Sequence, residues 1–467
     1  MDWIWVPSLA CPSRYLVFLL IVSGRSLLFP NSPLVSADPS APTTLHFNSE
    51  GIFKILQIAD MHYANGEKTP CRDLVAKELR RCSDQNTTLF IQRLLSSEKP
   101  DLVVFTGDNI DFDSKNATKS MDEAFQPVIA AKIPWAAILG NHDHESSIPR
   151  EDVMKYLTQM DYSLSQILNP SMGSLLGQDE SQMPVQVNGV GNYYLQVFGP
   201  SGSESENTSL LNLYFLDTGE YSKVPSVGGY DWIRANQLLW YQLLAAKLRG
   251  SAPEASTPTP ALAYIHIPIP EYESVLKDPS KVLGEKHEAV LSPSINSGFF
   301  TALLQAGDVK ATFAGHDHTN DYCGDLLGIH LCYGGGTGYH AYGKVGWSRR
   351  ARVVQASLKN KKGVAKATPD ILTWKKLDDA RMSKIDLQTL YDASAKRGIF
   401  GAKGGPMMSP ILLILLTLVI TTCSSCLFNS LYAKCRRKVG VDEYSRVTED
   451  IPLENTYPID SDNSDDD

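Results

Sequence analysis

Five short apolar runs, each carrying a polar residue at or near its end, constrain this chain more than any other feature. They are "FKILQIAD" (53–60), "DLVVFTGD" (101–108), "PWAAILGNHDHE" (134–145), "LAYIHIPIP" (262–270) and "ATFAGHDH" (311–318). Apolar runs of this length, bounded by turn residues, read as buried strands. "NLYFLDTG" (212–219) and "IHLCYGGG" (329–336) read as further strands. Between them lie segments with helical spacing: "LFIQRLLSSE" (89–98), "DEAFQPVIAAK" (122–132) and "RANQLLWYQLLAAKLR" (234–249). Strands alternating with helices predict an α/β layer architecture. In such sheets the strand ends converge on one edge, so polar residues far apart in sequence meet there.

The residues at or just beyond those ends form a coherent set. "ADMH" supplies Asp60 and His62, "GD" supplies Asp108, and "GNHD" supplies Asn141, His142 and Asp143. "YIH" supplies His266, and "GHDH" supplies His316 and His318. Oxygen and imidazole donors without a thiolate suit Zn, Mn, Fe or Mg. The glycines before Asp108, Asn141 and His316 allow several loops to approach one point.

These blocks, in this order, resemble the calcineurin-like metallophosphoesterase family over residues 45–378. "HIPIPEYE" (266–273), "GHDHTNDY" (315–322) and "CYGGGTGYHAYG" (332–343) resemble one branch more closely, the small purple-acid-phosphatase-like proteins of plants and a yeast cell-cycle phosphatase. The resemblance implies an α/β fold with a β-sandwich flanked by helices. It implies two divalent or mixed-valence metal ions (Fe, Zn or Mn) and hydrolysis of a phosphorylated substrate. Asp60, His62 and His318 would hold one ion, Asn141, His266 and His316 the other, and Asp108 would bridge both. His142 would act on the phosphate or its leaving oxygen, with Asp143 orienting its imidazole. True purple acid phosphatases carry Gly-Asp-x-x-Tyr, whose tyrosinate colours a ferric site. Here the stretch is "GDNID", with Asp111 at that position, so no purple colour is expected. A phosphodiesterase acting on lipid or nucleotide head groups, and an ectodomain that binds phosphate or a partner without turnover, stand as alternatives.

The ends of the chain speak to location. Arg14 followed by "YLVFLLIV" (15–22) and the small residues near Ala37 predict a secretory signal peptide over 1–37. No charge falls between Gly404 and Ala433, and "KCRRK" follows at 434–438. About 20 residues suffice to cross the hydrocarbon core, so 408–432 is expected to be a transmembrane helix. The basic flank would place the C-terminus in the cytosol. The expected organisation is a luminal or extracellular domain (45–378), a stalk (379–405), the span, and an acidic tail (433–467). In that tail "YSRV", Tyr444–Val447, fits an endocytic adaptor signal. "NTT" at Asn86, "NAT" at Asn116 and "NTS" at Asn207 are glycosylation acceptors within the proposed ectodomain. Of its four cysteines, the order suggests Cys71–Cys82 and Cys323–Cys332, one of three possible pairings. The net charge of −9 argues against a nucleic-acid partner. The glycine run 334–336 is open to two readings, a plain loop or backbone amides approaching phosphate.

Overall fold

A computed structural model of the full chain describes residues 44–177, 186–250, 257–358 and 368–395. The signal segment, the expected span and the tail with Tyr444–Val447 lie outside the described residues. Among the described residues no helix is long and apolar enough to cross a membrane.

The strands, in chain order, are β1 (Leu45–His46), β2 (Ile52–Ile58), β3 (Leu102–Thr106), β4 (Trp135–Ile138), β5 (Leu168–Asn169), β6 (Asn192–Phe198), β7 (Ser209–Phe215) and β8 (Ala261–Tyr264). They continue as β9 (Val282–Leu283), β10 (Val309–Ala314), β11 (Cys323–Leu326), β12 (Ile329–Tyr333), β13 (Arg350–Leu358), β14 (Pro369–Leu377) and β15 (Lys384–Tyr391). Among the described residues they make two sheets. One runs β1-β6-β7-β8-β10-β12-β11-β9, with β5 added beside β6; the other runs β15-β14-β13-β2-β3-β4. Within the second, β2, β3 and β4 are parallel. Within the first, β7, β8, β10 and β12 are parallel.

Side-chain alternation explains how the sheets stack. Leu262 and Tyr264 of β8 face the core between the sheets, with Val104 and Val354. Ala261 and Ala263, one residue out of phase, face Trp240, Tyr241 and Leu244 of the helix Ala235–Arg249. Across the inner face runs an aromatic ladder at matching register. Tyr193 stacks on Phe215 with ring centres 4.5 Å apart, Phe215 on Tyr264 at 5.2 Å, and Tyr264 on Phe313 at 5.2 Å. Each such ring contributes ~1.5–3 kcal/mol by leaving water. The ladder also fixes register, since a one-residue slip would turn every ring outward.

One polar side chain ties the sheets together beneath their shared edge. Gln57 Nε2 donates to Thr106 Oγ1 at 3.1 Å and, across the sandwich, to the Ala314 carbonyl at 3.2 Å. The helix Asp84–Glu98 covers the β2–β3 face with Phe90 and Leu94. It starts five residues before the helical pattern expected at Leu89, because Ser83 caps it and the Ser83 amide donates to Asn86 Oδ1.

The described residues extend the domain beyond the expected boundary at 378. Residues 384–391, expected within a stalk, form β15 and pair antiparallel with β14. Lys384–Tyr391 alternates weakly and stays mostly half-buried or exposed, as edge strands do. Both suggested disulfides are present, Cys71–Cys82 and Cys323–Cys332, the latter joining directly paired residues of β11 and β12. Asn116 and Asn207 are exposed, whereas Asn86 is half-buried with its amide oxygen engaged in the helix cap.

Candidate metal centre

Every candidate ligand follows the C-terminal end of a parallel strand. Asp60 and His62 follow β2, Asp108 follows β3, and Asn141 follows β4. His266 follows β8, and His316 and His318 follow β10. The two sheets therefore deliver their loops to one edge.

The close approach has identifiable causes. A Cβ on Gly107 would lie 2.4 Å from His266 Nδ1, and one on Gly140 would lie 2.1 Å from Asp108 Oδ1. Any side chain there would push apart the strands that carry the donors. Asp60, His62, Asp108 and His316 take φ values of 54°, 45°, 48° and 77°. Left-handed backbone at a non-glycine residue costs ~1–3 kcal/mol and persists only where its surroundings over-determine it. Here the neighbours do so: His62 N donates to the Asp108 carbonyl at 2.9 Å, and Gly338 N to the Asp60 carbonyl at 3.1 Å. The glycine run acts as part of this brace. Gly334 and Gly336 donate their amides to the carbonyls of Ala314 and His318, both at 2.9 Å, so these two amides are spent on backbone and are not offered to phosphate.

The donors fall into two groups that share Asp108. Asp60, His62, Asp108 and His318 bring one ligand atom each to within 4.8 Å of the others, and Asp108, His266 and His316 do the same. Asp108 Oδ2 lies 3.4 Å from His62 Nε2 and 3.3 Å from His266 Nε2. Asn141 Oδ1 joins the second group, 3.1 Å from His266 Nε2.

Three imidazoles are set in one tautomer by what holds their far nitrogen. His62 Nδ1 meets Asp111 Oδ2 at 2.8 Å, His266 Nδ1 donates to the Thr106 carbonyl at 2.8 Å, and His318 Nδ1 donates to the Tyr342 carbonyl at 3.1 Å. Each Nε2 is thereby turned toward the shared centre. His62 Nε2 and His318 Nε2 then face each other at 3.1 Å. Two lone pairs at that distance require a proton between them or a cation beside them. His316 Nε2 and Asp60 Oδ2 are buried and have no protein partner. Unpaired buried donors of this kind fit metal ions, and the set suits a dinuclear site.

The electrostatics of the metal-free protein agree. Burial works against charge on His62, but hydrogen bonds to Asp108 and Asp111 raise it to about 10. His266 is likewise raised to about 9, the buried Asp108 overcoming the cost of burial. Burial, with the charge of His266, drives His316 down to about 3. Burial pushes the Asp60 carboxyl up to about 7. Protons on His62 and His266 thus do in the metal-free protein what a cation would do when bound.

One expected role is reassigned. Asp143 does not orient His142. Its carboxylate accepts from the amides of Asn109 at 2.7 Å, Ile110 at 3.0 Å and Gly140 at 2.7 Å, so it clamps the loops after β3 and β4 together. His142 Nδ1 pairs instead with Glu145, one turn further on. The His142 amide donates to Asp108 Oδ1 at 2.9 Å, and its partly exposed ring faces the mouth of the site. Sequence reasoning also passed over Tyr230 and Tyr342. The Tyr230 ring meets His316 edge-on at 4.4 Å, and the Tyr342 ring stacks on His318 at 3.8 Å. Both line a cleft of about 140 Å³ above the donors. No motif marks either tyrosine, although Tyr342 lies within "CYGGGTGYHAYG".

The profile of the family "Calcineurin-like phosphoesterase" matches residues 53–320. An Arabidopsis thaliana protein named "Probable inactive purple acid phosphatase 29" is 49% identical, covering 76% of this chain and 89% of its own length. Another, "Probable inactive purple acid phosphatase 14", is 48% identical over 76% of this chain and 88% of its own. "Phosphatase DCR2" of Saccharomyces cerevisiae is 33% identical over 76% of this chain and 59% of its own.

Proposed function

Because the chain belongs to the calcineurin-like phosphoesterase family, we propose that it is an active dinuclear-metal phosphatase preferring phosphomonoesters. One observation carries this: the buried donor set is complete on both sides of Asp108, including atoms that no protein group satisfies. Asp60, His62 and His318 would hold one ion, Asn141, His266 and His316 the other, with Asp108 shared. Fe, Zn or Mn suits such donors. Two ions so placed supply Lewis acidity toward phosphoryl oxygens and lower the pKa of water.

The chain's own residues do the rest. His142, held by Glu145 and reaching into the same cleft, donates a proton to the leaving oxygen. Asp143 fixes the loops that carry Asp108 and Asn141. Asp111, standing where purple acid phosphatases have tyrosine, serves His62 from behind. The Arabidopsis relatives carry "inactive" in their names. That word describes those proteins. In this chain the exchange of tyrosine for Asp111 is matched by His62 in Asp-x-His, so a donor is substituted and none is lost.

We also propose that the enzyme faces the lumen or cell exterior. Residues 1–37 would be a signal peptide, 408–432 a membrane anchor, and Tyr444–Val447 a cytosolic adaptor site. In sealed vesicles the domain would resist protease while the 434–467 tail is clipped, with Asn116 and Asn207 carrying glycans. A protected tail on an unglycosylated protein would contradict that placement. The catalytic reading is tested by ranking p-nitrophenyl phosphate against its bis-ester. Higher kcat/KM on the monoester supports it, and the reverse order favours a phosphodiesterase.

A further inference from the structure

Arg72 is the one lysine or arginine among the described residues lining the cleft above the donors. Its position is built. The neighbouring Cys71–Cys82 disulfide closes its loop. Its amide donates to the Tyr339 carbonyl at 2.9 Å, and its own carbonyl accepts from Arg349 Nη2 at 3.0 Å. The guanidinium rests on Asp113 Oδ2 at 3.2 Å and His340 Nε2 at 3.0 Å. Asp111, Asp113 and His340 together resemble a third cation cluster, and the guanidinium is the cation beside them. Among the described residues these side-chain contacts run through Nη2 alone, leaving Nε and Nη1 for a ligand. The side chain is 39% exposed, open to the cleft and to water.

We infer that Arg72 is the residue that selects phosphomonoesters, by pairing with the additional negative charge that a monoester dianion carries and a diester lacks. It rests on the phosphatase reading only in supposing that a phosphoryl group enters this cleft. The free N–H groups of a charged guanidinium suit phosphoryl oxygens, which accept charge-assisted hydrogen bonds. A diester presents one charge fewer and an added substituent, so it gains less from the same cation. Phe112 and Leu291, both exposed on the cleft wall, supply apolar surface to either substrate and do not discriminate between them.

The test uses the full-length, metal-loaded chain with Arg72→Gln and Arg72→Lys. Substrates are p-nitrophenyl phosphate and bis(p-nitrophenyl) phosphate, which share a leaving group. Loss of one charge-assisted hydrogen bond predicts that Arg72→Gln lowers monoester kcat/KM by about 10- to 100-fold. The monoester-to-diester ratio should fall with it, and Arg72→Lys should recover part of the ratio. An equal loss on both substrates, or an unchanged ratio, overturns the inference. Binding of inorganic phosphate, followed by calorimetry, gives a readout independent of turnover. If the wild type hydrolyses neither ester, the phosphatase reading fails, yet Arg72→Gln must still weaken phosphate binding by about tenfold. Equal phosphate affinity in wild type and Arg72→Gln, at equal metal content, refutes the role of Arg72.

Discussion

Replacing Asp111 by alanine should weaken metal binding without touching a ligand. Asp111 Oδ2 sits 2.8 Å from His62 Nδ1, with both residues almost fully buried. A carboxylate behind a ligating histidine fixes its tautomer and raises its basicity, and removing one typically costs about 10–100-fold in metal affinity. That corresponds to about 1.4–2.7 kcal/mol, in line with ~1.5–3 kcal/mol for a hydrogen bond to a charged group. A second effect opposes it. Without metal, Asp111 helps hold a proton on His62, so its removal also weakens the competitor. The proton brings one positive charge and a divalent ion two, so losing the carboxylate harms the ion more. The net expectation is about tenfold weaker binding. Asp111→Asn keeps an acceptor near Nδ1 but not the charge, and should fall between wild type and alanine. Chelator-competition titrations of the purified proteins measure the series. Alanine and asparagine variants that bind metal as wild type does would refute the reasoning, as would a variant that binds more tightly.

Three further outcomes follow from the same geometry. His142→Ala should keep both metals and lose about 10²–10⁴ in rate, with a smaller loss on esters of acidic alcohols; Glu145→Gln should give a partial version. Loss of metal in His142→Ala, by elemental analysis, would place that residue among the ligands. Metal loading at pH 7 should release protons, because His62 and His266 stay protonated to about 10 and about 9 in the metal-free protein while His316, pulled down to about 3, is already neutral. Affinity should therefore rise as pH climbs from 7 toward 9, and calorimetry in buffers of different ionisation enthalpy would show no buffer dependence if that assignment were wrong. The metal-loaded protein should lack a strong visible charge-transfer band, and a band abolished by Tyr230→Phe would show that Tyr230, beside His316, reaches a ferric ion.

The donor set was legible because each member follows an apolar strand, and parallel strands must deliver their ends to one edge. Asp60, Asp108, Asn141, His266 and His316 needed no more than that. What the sequence hides is which nearby group reaches which. "GNHDHE" holds two carboxylates close to His142, and only the backbone path shows that Asp143 turns inward to amides while Glu145 meets the imidazole. β15 went unseen because "KIDLQTLY" lies at an edge and its alternation breaks at Thr389–Tyr391. The helix at 84–98 began early through a cap, a local hydrogen bond that apolar spacing does not register. Arg72 belongs to no motif. It enters the cleft through a disulfide-closed loop whose path depends on Tyr339 and Arg349, distant in sequence.

The central claim is that Asp108 joins two metal ions into one hydrolytic centre. It is tested most directly by measuring metal content and phosphate release together, on wild type and Asp108→Asn, before and after chelation. The account predicts a wild type holding two ions per chain, with phosphate release abolished by chelator and restored by readdition. Asp108→Asn should retain its fold, lose at least one ion and show no turnover. A wild type that binds two ions without releasing phosphate, or an Asp108→Asn protein that keeps both ions and full activity, would contradict it.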